Sequence, residues 1–260
     1  MADHLDDVDR AHYRAFADTW AAAARMSGID NDQVEARLIA YFRRLCNRLG
    51  PAVVLEIGAH EARFSRWAAR KLPSARVLAF EANPHVHAKY AGRLAATRVD
   101  YRHAAVGPTT GELDLTLPLE VAGRTRKLTS RMASLALHTQ ASDSVQVTVP
   151  STRLDDAVEL ADGERAVAWI DVEGANDAVL QSGPAVLDRI DAVHIEVEHE
   201  TTWEGQWLDT DVALHLRRHG LVPVARDVKR RHQYNVVFVR AGLVEHRRVT
   251  REAAALLRRR

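Results

Sequence analysis

Two carboxylates and one glycine set the first chemical possibility in this chain. The stretch Val53-Val-Leu-Glu-Ile-Gly-Ala-His-Glu-Ala62 is answered by Val77-Leu-Ala-Phe-Glu-Ala-Asn-Pro84. Each begins as an apolar run that reads as a strand, the first ending at Glu56-Ile57 before Gly58-Ala59 and the second ending at Glu81. A glycine there lets the backbone turn closely beneath a ligand, and a carboxylate at the tip of the second strand is where an open α/β sheet holds the two hydroxyls of a ribose. The glycine count then separates the nucleosides. A pyrophosphate needs glycines for the turn, for close approach and for helix packing. Here Ala59, His60, Glu61 and Ala62 fill the remaining places, and Glu61 would set a negative charge beside a ligand that carries its own. S-adenosylmethionine, with an adenosine, an amino-acid tail, a cationic sulfonium and no phosphate, fits these residues better than a dinucleotide, which remains the alternative.

A second set stands at the ends of two later apolar runs: Asp171, and Glu198 with His199. Alcohols are weak nucleophiles, so a hydroxyl acceptor needs help in losing its proton. These residue types supply it as an acid–histidine pair, or as an oxygen-rich site for a divalent cation such as Mg2+ or Mn2+. A structural use is open as well, with Asp171 on the cofactor's amino group or a backbone turn and Glu198-His199 tying down the loop that contains Trp203 and Trp207. Glu173 before Gly174 reads as a helix cap, and Glu196, in a strand expected to be buried, must be paired, with an ion pair favoured. His60 belongs to the cofactor's methionine part or to a solvent-facing loop, His85 and His87 are expected to face solvent, and His138 either approaches the acceptor or does not. Arg124, Arg126, Lys127 and Arg131 grip an anionic group or form a solvated face. The basic run 226–232 lacks interleaved aromatics and does not support nucleic-acid binding.

These residues need a parallel sheet to bring them together. Helices are expected over 5–26 and 31–49, the second capped by Asn31-Asp32, with Val34, Leu38, Tyr41, Phe42 and Leu45 as a packing stripe. From Pro51, strands at 52–57, 76–81, 100–106, 166–172 and 192–198 alternate with helical stretches such as 63–72 and 210–219. Strands 221–225 and 235–240 close the sheet as a hairpin with one antiparallel member. An insertion, 107–165, carries β-like alternation at 113–119 and 145–149 and is expected to cover substrate. The tail 253–260 reads as a short helix with terminal arginines complementing its dipole. The domain reading is therefore a helical extension at 1–50, a cofactor-binding domain at 51–241 with its insertion, and a basic tail at 242–260.

Composition narrows the classes. With 260 residues, 47% of them hydrophobic, the chain can bury a full core, and a net charge of +1 gives no field that would draw it to nucleic acid or a membrane. Cys46 is the single cysteine, which excludes an internal disulfide or a multi-cysteine metal site and suits a reducing cytoplasm. The N-terminus, with Asp3, Asp6, Asp7 and Asp9, lacks a signal pattern, and no apolar run approaches a membrane span. A soluble, cytoplasmic protein is expected, able to form homo-oligomers through its first helices.

From about Pro51 to Arg240 the residues resemble the FkbM family of S-adenosylmethionine-dependent methyltransferases. Leu55-Glu-Ile-Gly-Ala59 is similar to the family's first motif, Phe80-Glu-Ala-Asn-Pro84 to its second, and His103-Ala-Ala-Val-Gly107 to a third. Trp169-Ile-Asp-Val-Glu-Gly-Ala175 followed by Ile195-Glu-Val-Glu198 is the most specific signal. Ala62 stands where a glycine is usual and His103 where an asparagine is usual. The resemblance implies a Rossmann-like class I methyltransferase fold, α/β, with a seven-stranded, mostly parallel sheet of order 3-2-1-4-5-7-6 and helices on both faces. It also implies methyl transfer to a hydroxyl of a sugar, glycan or polyketide-derived product. Glu56, Gly58, Ala59, His60, Glu81, Ala82, His103, Ala104 and Asp171 are then expected to hold the cofactor. The competing readings are a scaffold that binds the cofactor without catalysis, and a dinucleotide-dependent oxidoreductase.

Overall fold

The computed structural model describes residues 2–228, 232–245 and 247–258. It opens with two helices, α1 (Ala2–Ser27) and α2 (Asn31–Leu49). The Asp30 side chain caps α2 by accepting from the backbone N–H groups of Asp32 and Gln33. The cap therefore lies one residue ahead of the expected Asn31-Asp32, because a capping residue must keep an extended backbone outside the first turn. Two crossover units follow: β1 (Val53–Ile57), α3 (Arg63–Lys71), β2 (Arg76–Glu81), α4 (Pro84–Leu94) and β3 (Val99–His103).

The expected single strand 100–106 is two. The Ala104 N–H still donates to Glu81 O, at 3.2 Å, but β4 (Ala105–Val106) leaves the first sheet and pairs in parallel with Ser151 and Thr152. With β5 (Gly111–Val121) and β6 (Arg124–Thr125), β7 (Ala141–Thr152) completes a second sheet of order β4-β7-β5-β6, the long antiparallel β5 and β7 carrying most of its pairing. The chain then returns through α5 (Leu154–Ala157), β8 (Ala166–Ile170), α6 (Asn176–Gln181), α7 (Pro184–Leu187), β9 (Ile190–Glu198), α8 (Asp209–Arg218), β10 (Leu221–Arg226), β11 (Gln233–Arg240), α9 (Ala241–Val244) and α10 (Arg247–Ala254). The main sheet has seven strands in the order β3-β2-β1-β8-β9-β11-β10, parallel except for β11, which runs antiparallel to both neighbours.

Alternate side chains of β1 enter different cores. Val53, Leu55 and Ile57 pack with Tyr13, Ala17 and Val212, while Val54 packs with Leu38, Tyr41 and Phe42. Alternation sends these sets to opposite faces, so α1 covers one face of the sheet and α2 the other. Tyr13 and Tyr234 share a hydrogen bond between their hydroxyls at 2.9 Å, and Arg10 pairs with Asp211 at 2.6 Å. The α2 stripe, including Cys46, is buried within the chain, and Arg37 Nη1 donates to Leu256 O at 2.8 Å. The tail helix ends at Ala254 and continues as a 3-10 turn, Ala255–Leu257, rather than running over 253–260. Lys229, Arg230 and Arg231 of the basic run, and the terminal Arg259 and Arg260, lie outside the described residues. Among the described residues no helix is long and apolar enough to cross a membrane.

Candidate functional site

The ends of β1, β2 and β8 surround a cavity of about 470 Å³. Its floor is the Gly58 turn. Gly58 has φ 77, and the N–H groups of Gly58 and Ala59 both donate to Phe80 O, locking the turn against β2. A Cβ at Gly58 would stand 1.9 Å from the backbone oxygen of Asp171. Glycine is therefore required by the neighbouring strand as well as by any ligand above the turn. His60 and Ala62 also take left-handed backbone, φ 47 and φ 51. At Ala62 this is a backbone conformation that a glycine would take without strain.

Glu81 is the best-formed polar group in the cavity. Its Oε2 accepts from His60 N at 2.7 Å and its Oε1 from Asn83 N at 2.8 Å. Tyr101 Oη donates to His60 O at 2.6 Å, tying the turn down from β3. Asn83 in turn caps α4 and donates from Nδ2 to Leu128 O, which draws the β6–β7 loop over the site. Burial pushes the Glu81 carboxyl up to about 7, opposed by the two N–H groups and reinforced by the charge of Asp171. Glu56 shows the same balance. It is buried, its oxygens accept from Phe64 N and Ser65 N at the start of α3, and its carboxyl is also pushed up to about 7. Glu56 thus anchors α3 while forming part of the cavity wall.

Of the residues expected to hold a cofactor, all but His103 line this cavity. The His103 ring stacks on His87 at 5.0 Å and contacts Ala82 O at 3.2 Å, outside the lining. His87, expected to face solvent, is half-buried and stacked on Tyr101 as well, whereas His85 is exposed.

Of the three residues expected to handle a proton, Asp171 and Glu198 lie within electrostatic reach of each other and His199 is set apart. Asp171 lines the cavity. Glu198 is buried behind it, its Oε2 without a hydrogen-bond partner, and burial followed by the charge of Asp171 pushes its carboxyl up to about 7. His199 sits on the exposed loop after β9, with its Nε2 3.9 Å from Glu200 Oε1, away from the lining. An Asp171–His199 pair is therefore not formed, because the strand ends at Glu198 and the next residue turns outward. In place of that trio, Asp171, Glu173 and Glu196 each offer an oxygen within 4.8 Å of the others. Glu173 is not the expected helix cap, since α6 starts at Asn176 behind Ala175. Glu196 accepts from Gln233 Nε2.

The second sheet contributes a roof. Ser130, Arg131, Ser134 and Leu135, on the loop between β6 and β7, line the cavity, and Ser134 Oγ donates to Glu173 O. Arg131 is the member of the expected basic cluster that reaches the site. His138 does not reach it. Its ring packs edge-on against Trp203 at 4.8 Å, and its Nδ1 accepts from Gln140 N. The opposite wall was missed by sequence reasoning: Glu35, Ile39 and Arg43 of α2 face the cavity. Their four-residue spacing, one row beside the buried stripe, is the signal that marks a second occupied face of that helix.

Residues 56–250 match the family described as the methyltransferase FkbM domain. Among solved structures, the chain is similar to methyltransferase FkbM from Methylobacillus flagellatus KT, at 12% identity and a TM-score of 0.45, over 73% of this chain and 44% of that one. It is also similar to precorrin-6y C5,15-methyltransferase from Geobacter metallireducens GS-15, at 17% identity and a TM-score of 0.39, over 72% and 79% of the two chains. A third is 1,6-didemethyltoxoflavin-N1-methyltransferase from Burkholderia thailandensis, bound to 1,6-didemethyltoxoflavin and S-adenosylhomocysteine, at 17% identity and a TM-score of 0.40, over 92% and 88%. The chain thus spans less than half the length of the first of these. No curated protein matches the chain.

Proposed function

Because the chain belongs to the FkbM methyltransferase family, we propose that it is an S-adenosylmethionine-dependent O-methyltransferase. It moves a methyl group to a hydroxyl of a small molecule: a sugar, a glycan, or a glycosylated or polyketide-derived natural product. The observation that carries this reading is Glu81, at the tip of β2 beside the Gly58 turn, with its two oxygens already oriented by backbone N–H groups. We read the strand order of the main sheet as the 3-2-1-4-5-7-6 order of class I methyltransferases. Residues 51–241 are then the donor-binding domain, 107–165 its insertion, 1–50 a helical extension and 242–260 a basic tail.

The cavity suits this donor. Glu56, Glu81, Asp171 and Glu173 on its wall favour a ligand with a positive charge and no phosphate. When bound, S-adenosylmethionine supplies a methyl group already activated on a sulfonium, so the chain has mainly to align the acceptor and accept its proton. Glu81 holds the ribose hydroxyls, the Gly58–His60 turn lies under the sulfur and tail, and the loop carrying Ser134 and Leu135 excludes water from above. The proton passes to the carboxylates at the ends of β8 and β9, Asp171 against the acceptor and Glu198 behind it. A carboxyl near 7 is matched to that task at neutral pH.

The test is methyl transfer from S-adenosylmethionine to a panel of hydroxylated sugars and glycosides, read as S-adenosylhomocysteine formed. Glu198→Gln is expected to lower turnover by about 10²-fold or more while donor affinity stays unchanged. Binding of the donor with no product from any acceptor would leave the non-catalytic scaffold instead. The cluster of Asp171, Glu173 and Glu196 supports a second use of the same acids, holding Mg2+ or Mn2+ beside the acceptor. Loss of turnover in EDTA, restored by either metal, is its signature, and a chelator-insensitive enzyme removes it. For location and partners we propose the cytoplasm, which suits the single buried Cys46, and self-association through the outward face of α1, tested by sedimentation velocity.

A further inference from the structure

One wall of the cavity comes from outside the matched family segment. Residues Glu35, Ala36, Ile39 and Arg43 of α2 precede residue 56, where that match begins, yet they line the same cavity as Glu81 and Gly58. Arg43 is the member with unspent chemistry. Its Nε is buried without a hydrogen-bond partner, and among the described residues no carboxylate forms an ion pair with it. Buried donors are almost always satisfied, so this Nε, on a cavity wall, has a hydrogen bond left to give to an acceptor that enters the cavity.

The other two arginines of the lining are placed differently. Arg63 is largely exposed and already paired with Glu61, and Arg131 is exposed on the roof loop. Arg43 is held in position. Its guanidinium lies 5.4 Å from the centre of the Trp67 ring, and the preceding Phe42 packs on Phe64 at 5.4 Å and on Trp169 at 6.1 Å. The nearby Glu56 is engaged by the N–H groups of Phe64 and Ser65. The end of the cavity bounded by Arg43, Glu56 and Phe64 therefore presents an anchored cation, while the Glu81 end presents an acceptor for hydroxyls.

We propose that Arg43 binds the carboxylate of the donor's amino-acid tail, so that the N-terminal helix α2 completes the donor site. This rests on the S-adenosylmethionine reading above. A planar guanidinium meets a carboxylate through two parallel hydrogen bonds, which a lysine cannot reproduce. Fixing the tail at Arg43 and the ribose at Glu81 holds the sulfur between two points on different elements, and that is what an in-line transfer needs.

The experiment compares two probes by calorimetric titration: S-adenosylhomocysteine, and 5′-methylthioadenosine, which keeps the adenosine and sulfur but has no amino-acid tail. In Arg43→Gln, S-adenosylhomocysteine is expected to bind about 10–100-fold more weakly while 5′-methylthioadenosine binds as it does to the native chain. Arg43→Lys, which keeps the charge and the aliphatic stem, is expected to fall between, and thermal melts check that both variants fold. Unchanged S-adenosylhomocysteine affinity in the two variants overturns the inference, as does an equal loss for both probes. Failure of the native chain to bind either probe overturns the donor reading itself, and this inference with it.

Discussion

At the scale of single residues, the site is governed by carboxyl groups whose charge is held back by burial. Glu56, Glu81 and Glu198 are each pushed from an ordinary value of 4.5 up to about 7, with burial the largest cause and Asp171 adding to it. In the folded chain these acids keep protons that the unfolded chain has already released. The stability they contribute is therefore complete below about 4.5 and is lost as pH rises through about 7. Thermal midpoints should fall between pH 5 and pH 8, and Glu198→Gln should flatten that fall. Ligand binding runs the other way. Ribose hydroxyls donate to the ionised Glu81, so S-adenosylhomocysteine should bind more tightly as pH is raised from 6 to 8, as measured by titration calorimetry. Glu81→Gln should weaken binding by about tenfold or more and remove most of that pH dependence.

At the scale of elements, the turn after β1 is as much a joint between strands as a ligand cradle. A side chain at Gly58 would have to displace the Asp171 carbonyl, whose residue is joined to β1 by the Asp171 N to Ile57 O bond at 2.9 Å. Gly58→Val is expected to lower the melting temperature and abolish donor binding together, whereas a purely ligand-facing glycine would lose binding alone. The sequence reading made Gly58 ligand-facing because a βαβ unit shows its own turn but not the strand that closes on it. Glu81 was legible for the complementary reason: strand, turn and carboxylate are local in sequence and fix one another's place. The pairing of β5 with β7 was half legible, as two alternating stretches with no sign of their register. The gathering of Asp171 with Glu173 and Glu196, and the exit of His199 from the site, depend on where β9 stops against β11, which no local pattern records. Arg43 was invisible for a similar reason, since α2 reads as a packing stripe until the sheet supplies a cavity beside it.

At the scale of the whole molecule, the two N-terminal helices differ in what they do. Tyr13 of α1 is buried against Phe238 and Tyr234, and among the described residues none of α1 lines the cavity. Phe42 of α2 is buried against Phe64 and Trp169, both of which do. Tyr13→Ala and Phe42→Ala should each cost about 3–5 kcal/mol in denaturant unfolding, the range for removing a buried aromatic. Only Phe42→Ala should also weaken S-adenosylhomocysteine binding at temperatures where both variants are folded.

The arrangement of α1 and α2 on the two faces of the sheet also has a consequence during protein synthesis. Tyr13 meets Tyr234, 221 residues later, and Arg37 meets Leu256, 219 residues later. At ~5–20 residues per second, roughly 10–45 s separate the appearance of each helix from that of its partner. During that interval each helix can pack on β1 and its neighbours, but the contacts of Tyr13 with Tyr234 and Phe238 and of Arg37 with Leu256 are still missing. The contacts that tie α1 and α2 to the far end of the chain are therefore among the last that synthesis makes available.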